Sequence, residues 1–315
     1  MSLSPQSARA TLKSLSDNLS LVIKGKDEKI DLVILALVAG GHILIEDIPG
    51  VGKTTLARGL ARSIDGKFGR IQFTPDLLPS DITGVNFYQQ KEGTFIFKKG
   101  PIFANIVLAD EINRASARTQ SALLEAMSEE QVTVDTQSFP LPKPFIVLAT
   151  QNPIEYHGVY PLPEAQLDRF MLQLDLGYPP HDIEKNLAIE RTREDPVNTL
   201  KPVISLAILE QLRGSIDHIR IEESVSDYLL SIVEATRSHP QLRLGVSTRG
   251  TLLYARIARA RALSQGRDFV IPEDVKELAV SVLSHRILLE TKAQYGGIAS
   301  SKIIQEIIDS QKVPR

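Results

Sequence analysis

Ten consecutive residues, Glu46-Asp47-Ile48-Pro49-Gly50-Val51-Gly52-Lys53-Thr54-Thr55, have the types and spacing of a cradle for a dense polyanion. Gly50 and Gly52 let backbone N–H groups converge on a triphosphate, with the positive end of a following helix behind them. Lys53 is suited to reach the β- and γ-phosphates, and Thr54, the first hydroxyl after it, is suited to ligate Mg²⁺. Pro49, Val51 and Thr55 belong to the same loop. The usual pattern opens on Gly where this chain has Asp47. Asp tolerates left-handed backbone angles better than most residues, so the loop is expected to turn there.

A second pair of candidates is Asp110-Glu111, at the end of the apolar run Ile106-Val107-Leu108-Ala109. Two carboxylates delivered at the C-terminal end of a strand, in a sheet whose first strand feeds a phosphate loop, fall in the crevice where such sheets bind ligands. Asp110 would orient Mg²⁺ through water and Glu111 would polarise an attacking water; the bland reading is a solvated strand end. Asn152, in Thr150-Gln151-Asn152-Pro153, offers an amide to that water or to a γ-phosphate oxygen, though Asn-Pro is also a common turn. Arg169, in Leu167-Asp168-Arg169-Phe170, reads by default as a surface cation. Arg249, in Ser247-Thr248-Arg249-Gly250, opens a predicted helix at the end where a cation opposes the dipole, so a functional reason is more tempting there.

The elements that must hold these residues follow from hydrophobic periodicity. Helices are expected over 6–21 and from Asp27 to about Ala39, ended by Gly40-Gly41. Short apolar strands are expected at Ile43–Ile45, Phe68–Thr74, Ile106–Glu111, Phe145–Thr150 and Met171–Leu176, separated by helical stretches that include 116–128. Strands apolar throughout, alternating with helices, imply a parallel sheet covered on both faces, a doubly wound α/β fold. Two hairpins interrupt the alternation, at 85–99 around Glu92-Gly93 and at 132–141. After Gly177-Tyr178-Pro179-Pro180 the sequence is helix-periodic, over 182–193, 205–217, 223–238, 248–264, 272–289 and 300–310. We therefore expect an α/β domain over 1–178, a linker near 178–182 and a smaller all-α domain over 179–315.

Composition bounds the partners. A chain of 315 residues with 43% apolar content suits two domains with real cores. It contains no Cys, so disulfides and thiolate zinc sites are excluded, and no two of its six His are spaced i, i+3 or i, i+4. A formal charge of −2 disfavours tight binding to nucleic acid. No signal segment is recognisable and the longest apolar run is too short to span a bilayer, so the expected address is the cytoplasm.

Taken together, Glu46–Thr55, Gly100-Pro101-Ile102-Phe103-Ala104-Asn105, LADEINRA at 108–115, QSALLEAM at 120–127, ATQNP at 149–153 and EAQLDRF at 164–170 closely resemble the MoxR family of AAA+ ATPases. The resemblance implies a Walker A pair in Lys53 and Thr54, a Walker B pair in Asp110 and Glu111, and a sensor 1 residue in Asn152. It also implies an arginine finger in Arg169, offered to a neighbouring subunit, and a sensor 2 arginine in Arg249. Ile23 and Gly25 are similar to the segment lining the adenine, and the hairpins match the insertion in helix 2 and the hairpin before sensor 1.

The expected function is thus a Mg²⁺-dependent ATPase that binds ATP and assembles into a homo-oligomeric ring, a hexamer. It would act as a chaperone on client protein complexes beside a partner with a von Willebrand A domain. Competing readings are a nucleic-acid motor or loader, for which Lys91, Lys98 and Lys99 of the first hairpin give thin support, and a magnesium chelatase ATPase subunit. A scaffold that binds ATP without turnover is disfavoured by the intact Glu111.

Overall fold

The structure is a computed structural model that describes residues 3–153, 160–189 and 195–314. Helix α1 (Pro5–Ser20) starts where Ser4 accepts a bond from the Ser7 N–H, and it buries Leu12, Leu15 and Leu19 on one face. Helix α2 (Asp27–Ala39) has acids in its first turn and is buried almost all round from Ile30 onward. It stops at Gly40, which takes the left-handed conformation (φ 74°) that a side chain would resist.

Strand β1 (His42–Glu46) runs into the phosphate loop, and helix α3 (Lys53–Ser63) leaves it. Then come β2 (Phe68–Gln72), the short helix α4 (Pro79–Thr83), and the hairpin β3 (Gly84–Gln89) with β4 (Thr94–Lys99). Strand β5 (Ile106–Asp110), helix α5 (Ala117–Glu129) and the second hairpin, β6 (Gln131–Val134) with β7 (Gln137–Pro140), precede β8 (Ile146–Gln151). Helix α6 (Glu164–Leu167) and strand β9 (Phe170–Leu174) complete this half. Helix α4 was not expected; Pro79 at its first position and Asp81 bonded back to the Leu78 N–H start it.

The five sheet strands are all parallel, in the order β2-β5-β8-β1-β9. Each β1 residue therefore alternates between two cores: Ile43 and Ile45 face one, Leu44 the other. The two hairpins are one protrusion. Phe97 of β4 stacks on Phe139 of β7 with ring centroids 4.1 Å apart, and Asn86 donates to Asp135 at 2.7 Å.

The remainder comprises α7 (His181–Ile189), α8 (Leu206–Ile216), α9 (Glu223–Ser238), β10 (Leu242–Leu244), α10 (Thr248–Ser264), α11 (Pro272–Leu283), β11 (Leu288–Leu289), α12 (Thr291–Tyr295) and α13 (Ser300–Ser310). The last turn expected of the 182–193 helix lies outside the described residues. Two expectations are corrected. The helix foreseen over 272–289 ends at Leu283, where a 3-10 turn over Ser284–Arg286 buries His285 and Arg286 and redirects the chain. This half is also not wholly helical, because β10 and β11 pair antiparallel; strands of two or three residues are too short to show a period.

The helices pack on the sheet through α2. Arg213 of α8 donates twice to the Leu37 carbonyl (3.1 and 3.0 Å), and Arg256 of α10 donates to Ala39 O at 2.6 Å. Two cations thus add bonds to carbonyls at the end of α2, where that of Leu37 also accepts from the Gly40 N–H at 3.3 Å. One continuous core joins Ile43, Ile45 and Leu148 of the sheet to Leu209, Ile232, Tyr254 and Leu278 of the helices.

Candidate active site

The order of the strands makes β1 a switch point: the chain leaves it in one direction for β2 and later returns on its other side as β9. The crevice beyond the strand ends there is where ligands bind in such sheets. A cleft of about 380 Å³ lies at that place, lined by Pro49, Gly50, Gly52, Lys53, Thr54, Thr55, Arg70, Asp110, Glu111 and Asn152. Gly50 and Gly52 have φ of 86° and 100°, angles that side chains resist, and the space a Cβ on Gly50 would take is open. Gly52 caps α3, so the helix begins at Lys53 and turns its first N–H groups toward the cleft. Lys53 Nζ donates to the Asp47 carbonyl at 2.8 Å, holding the ammonium at the loop.

Asp47 does not take a left-handed conformation, contrary to the expectation for it. Its side chain explains its presence. Oδ1 accepts from the Ile48 N–H at 2.8 Å, and Oδ2 accepts from the N–H groups of Leu176 and Gly177, both at 2.7 Å. Lys26 Nζ donates to the carbonyls of the same two residues, at 2.5 Å each. A glycine could make none of the carboxylate bonds, so Asp ties the phosphate loop to the end of the last sheet strand.

The acidic pair is held by neighbouring strands. Thr150 Oγ1 donates to Asp110 Oδ1 at 2.8 Å and accepts from the Glu111 N–H at 2.9 Å. Glu111 sits at φ 56°, a left-handed turn that aims its side chain away from the strand direction. Its Oε2 accepts from Gln72 Nε2 at 2.9 Å and lies 3.2 Å from Arg114 Nε. Arg70 pairs with Asp110 Oδ2 at 2.8 Å. Arg70, Gln72 and Thr150 were missed as site residues; the signal was a polar residue at alternate positions of β2, whose register sets Gln72 opposite Asp110.

Other candidates are not among the residues lining the cleft. Ile23 is buried, with Cδ1 3.8 Å from where a Gly52 Cβ would be, and Gly25 (φ 73°) packs on Pro180 and Ile183. Val51 packs against the core. Neither Arg169 nor Arg249 is among the residues lining the cleft. Arg169 Nη1 donates to Leu124 O at 3.0 Å while its Nε is buried without a partner; Arg249 is exposed in the first turn of α10.

The donor set fits a nucleotide triphosphate with Mg²⁺: convergent backbone N–H groups and Lys53 for phosphate, and Thr54 with Asp110 as hard oxygen ligands. A parallel sheet of this order, a phosphate loop after β1 and an acidic pair at the end of β5, with β8 between those two strands, define an AAA+ ATPase. The family model for "ATPase family associated with various cellular activities (AAA)" matches residues 42–172, and that for "AAA lid domain" matches 234–307. YeaC of Bacillus subtilis (strain 168) is 49% identical over 298 residues, covering 95% of this chain and 93% of that protein. Chaperone MoxR1 of Mycobacterium tuberculosis is 40% identical over 314 residues, covering 97% and 83%. A crystal structure of a protein from Cytophaga hutchinsonii superposes with a TM-score of 0.92 at 40% identity, covering 99% and 97%. The chain belongs to the MoxR family of AAA+ ATPases.

Proposed function

We propose that this ATPase works as a homo-oligomeric ring, a hexamer, and uses Mg²⁺-dependent ATP hydrolysis in the cytoplasm as a chaperone in the assembly, maturation or metal insertion of client protein complexes. A partner with a von Willebrand A domain is part of the proposal. The chaperone role is supported by the similarity to Chaperone MoxR1. Residues 1–178 would form the nucleotide domain and 179–315 the lid. Among the described residues no helix is long and apolar enough to cross a membrane.

In the proposed mechanism Lys53 and the loop N–H groups hold the β- and γ-phosphates, with Ile23 and Gly25 beside the adenine. Thr54 and Asp110 would hold Mg²⁺, which when bound would supply positive charge to offset the negative charge of the phosphates. Glu111 takes the proton of the attacking water, and Asn152 orients that water. The observation that carries the ring is that Arg169, which follows α6 and donates to the Leu124 carbonyl, does not line its own subunit's cleft. A cation on a neighbour's γ-phosphate resolves that separation, and Arg249 acts at the same boundary.

Mixing two inactive proteins tests this. Arg169→Ala is expected to bind ATP normally and hydrolyse it about 10³-fold more slowly, and Lys53→Ala to lose ATP affinity. In mixed rings an intact Lys53 site meets an intact Arg169 from the neighbour, so activity returns. Mixed rings seen by native mass spectrometry without activity refute the shared site. Capture of proteins by the ATP-loaded Glu111→Gln form tests the client and the von Willebrand A partner.

A further inference from the structure

Asp168 stands immediately before Arg169 and divides its carboxylate between two elements of the helical half. Oδ2 accepts from Ser247 Oγ at 2.7 Å, and Oδ1 accepts from Arg286 Nε at 3.0 Å. Ser247 is the N-cap of α10, its Oγ also accepting from the Gly250 N–H at 3.0 Å, so Arg249 follows two residues after a cap that is tied to Asp168. Arg286 is a buried cation whose side chain is 1% exposed. It donates further to Met171 O at 3.2 Å and to the carbonyls of Phe170 and Val282.

Gly250 makes this arrangement possible. A Cβ there would meet Val246 Cγ1 at 2.7 Å and Arg286 Cδ at 2.9 Å, so the absence of a side chain clears the path of the Arg286 stem. The run Ser247-Thr248-Arg249-Gly250 thereby acquires a physical account: Ser247 serves Asp168, Gly250 admits Arg286, and Arg249 is left exposed. Burial pushes the Arg286 guanidinium down to about 10 while Asp168 opposes the shift, so it stays charged at neutral pH. The carboxylate of Asp168 is therefore fixed on both oxygens. By contrast the guanidinium of Arg169 donates through Nη1 to Leu124 O and keeps a buried Nε without a partner. Such a group gains by moving to an acceptor that satisfies it.

We propose that Asp168, Ser247 and Arg286 are positioning residues for ATP hydrolysis: they tie the segment carrying Arg169 to the start of the helix carrying Arg249. Movement of the lid then displaces both arginines together. None of the three lines the phosphate cleft, so they act only through the arginines they place. The proposal rests on the reading of Arg169 as a cation offered to the neighbouring subunit.

Steady-state ATP hydrolysis by assembled rings tests it. Asp168→Asn keeps the size of the side chain and removes its charge. It is expected to leave KM for ATP unchanged, to lower kcat about 10²-fold, the scale of a misplaced catalytic group, and to regain activity when mixed with Lys53→Ala. On an Arg169→Ala background its loss shrinks to the part that passes through Arg249, and with Arg249→Ala added as well none remains. Ser247→Ala leaves Arg286 paired with Asp168, so it is spared an unpaired buried cation; it gives the same pattern with a loss of about tenfold. If Asp168→Asn fails to assemble, Ser247→Ala and its double variant with Arg169→Ala decide. Wild-type kcat in intact Ser247→Ala and Asp168→Asn rings overturns the proposal, as do losses that multiply undiminished with that of Arg169→Ala. A slow Arg169→Ala beside normal clamp variants overturns the clamp alone, whereas a fully active Arg169→Ala removes the reading beneath it.

Discussion

At the scale of single residues, Thr150 organises the acidic pair: one hydroxyl donates to Asp110 and accepts from the backbone of Glu111. Thr150→Val keeps the shape and removes both bonds, so kcat is expected to fall about 10²-fold with little change in KM, while Thr150→Ser retains most activity. Equal turnover in the valine and serine variants would assign the pair's geometry to the strand alone. His42 acts on stability instead. Its Nδ1 accepts from the Val147 N–H at 3.0 Å, so the proton lies on Nε2, 3.0 Å from Met127 O. Complete burial lowers its pKa to about 4, and the Met127 carbonyl opposes the shift. The unfolded ring takes a proton near 6.5. Between those values the unfolded state binds more protons, so stability present above pH 6.5 is lost as pH falls, by about 3 kcal/mol at pH 4. Urea midpoints measured from pH 7 to 4 should show this loss, and His42→Gln should reduce it.

At the scale of elements, α2 gives the sharpest expectation. Arg213, buried against its C-terminus, puts two bonds on the Leu37 carbonyl. Arg213→Leu would leave that carbonyl the 3.3 Å bond from the Gly40 N–H and cost about 1 kcal/mol, read as a lower urea midpoint at unchanged slope. The existence of α2 was legible in the sequence from Asp27, the apolar run and Gly40; its capping by arginines about 175–215 residues away was not, because periodicity carries only local partners. The same division holds at the site. Gly50 to Thr54, Asp110 and Glu111 are recognisable because their chemistry lies in contiguous runs. Gln72, Arg70 and Thr150 enter through strand register, which no local pattern specifies. The end of α11 at Leu283 was hidden because His285 and Arg286 continue the helical alternation yet are buried by tertiary bonds to Phe170 and Asp168.

At the scale of the whole molecule, sheet and helices share one core, so they should unfold as one unit. Far-ultraviolet ellipticity and tyrosine fluorescence, to which the chain's seven tyrosines contribute, Tyr228 and Tyr254 of the helices among them, are expected to give one midpoint. ATP at a hundred times its Kd should raise the stability by about 2.7 kcal/mol by both probes, and Lys53→Ala should abolish the gain. A helical transition preceding that of the sheet would show that the shared core does not couple them. One further consequence concerns time. Leu176 and Gly177 follow the last residue of β9, where a connecting segment would ordinarily exchange its amide hydrogens with water within seconds, but both N–H groups end on the buried carboxylate of Asp47. Their exchange should be as slow as that of a central strand, and Asp47→Gly should release both at once, so two deuterons mark from afar whether the phosphate loop is still fastened to the sheet.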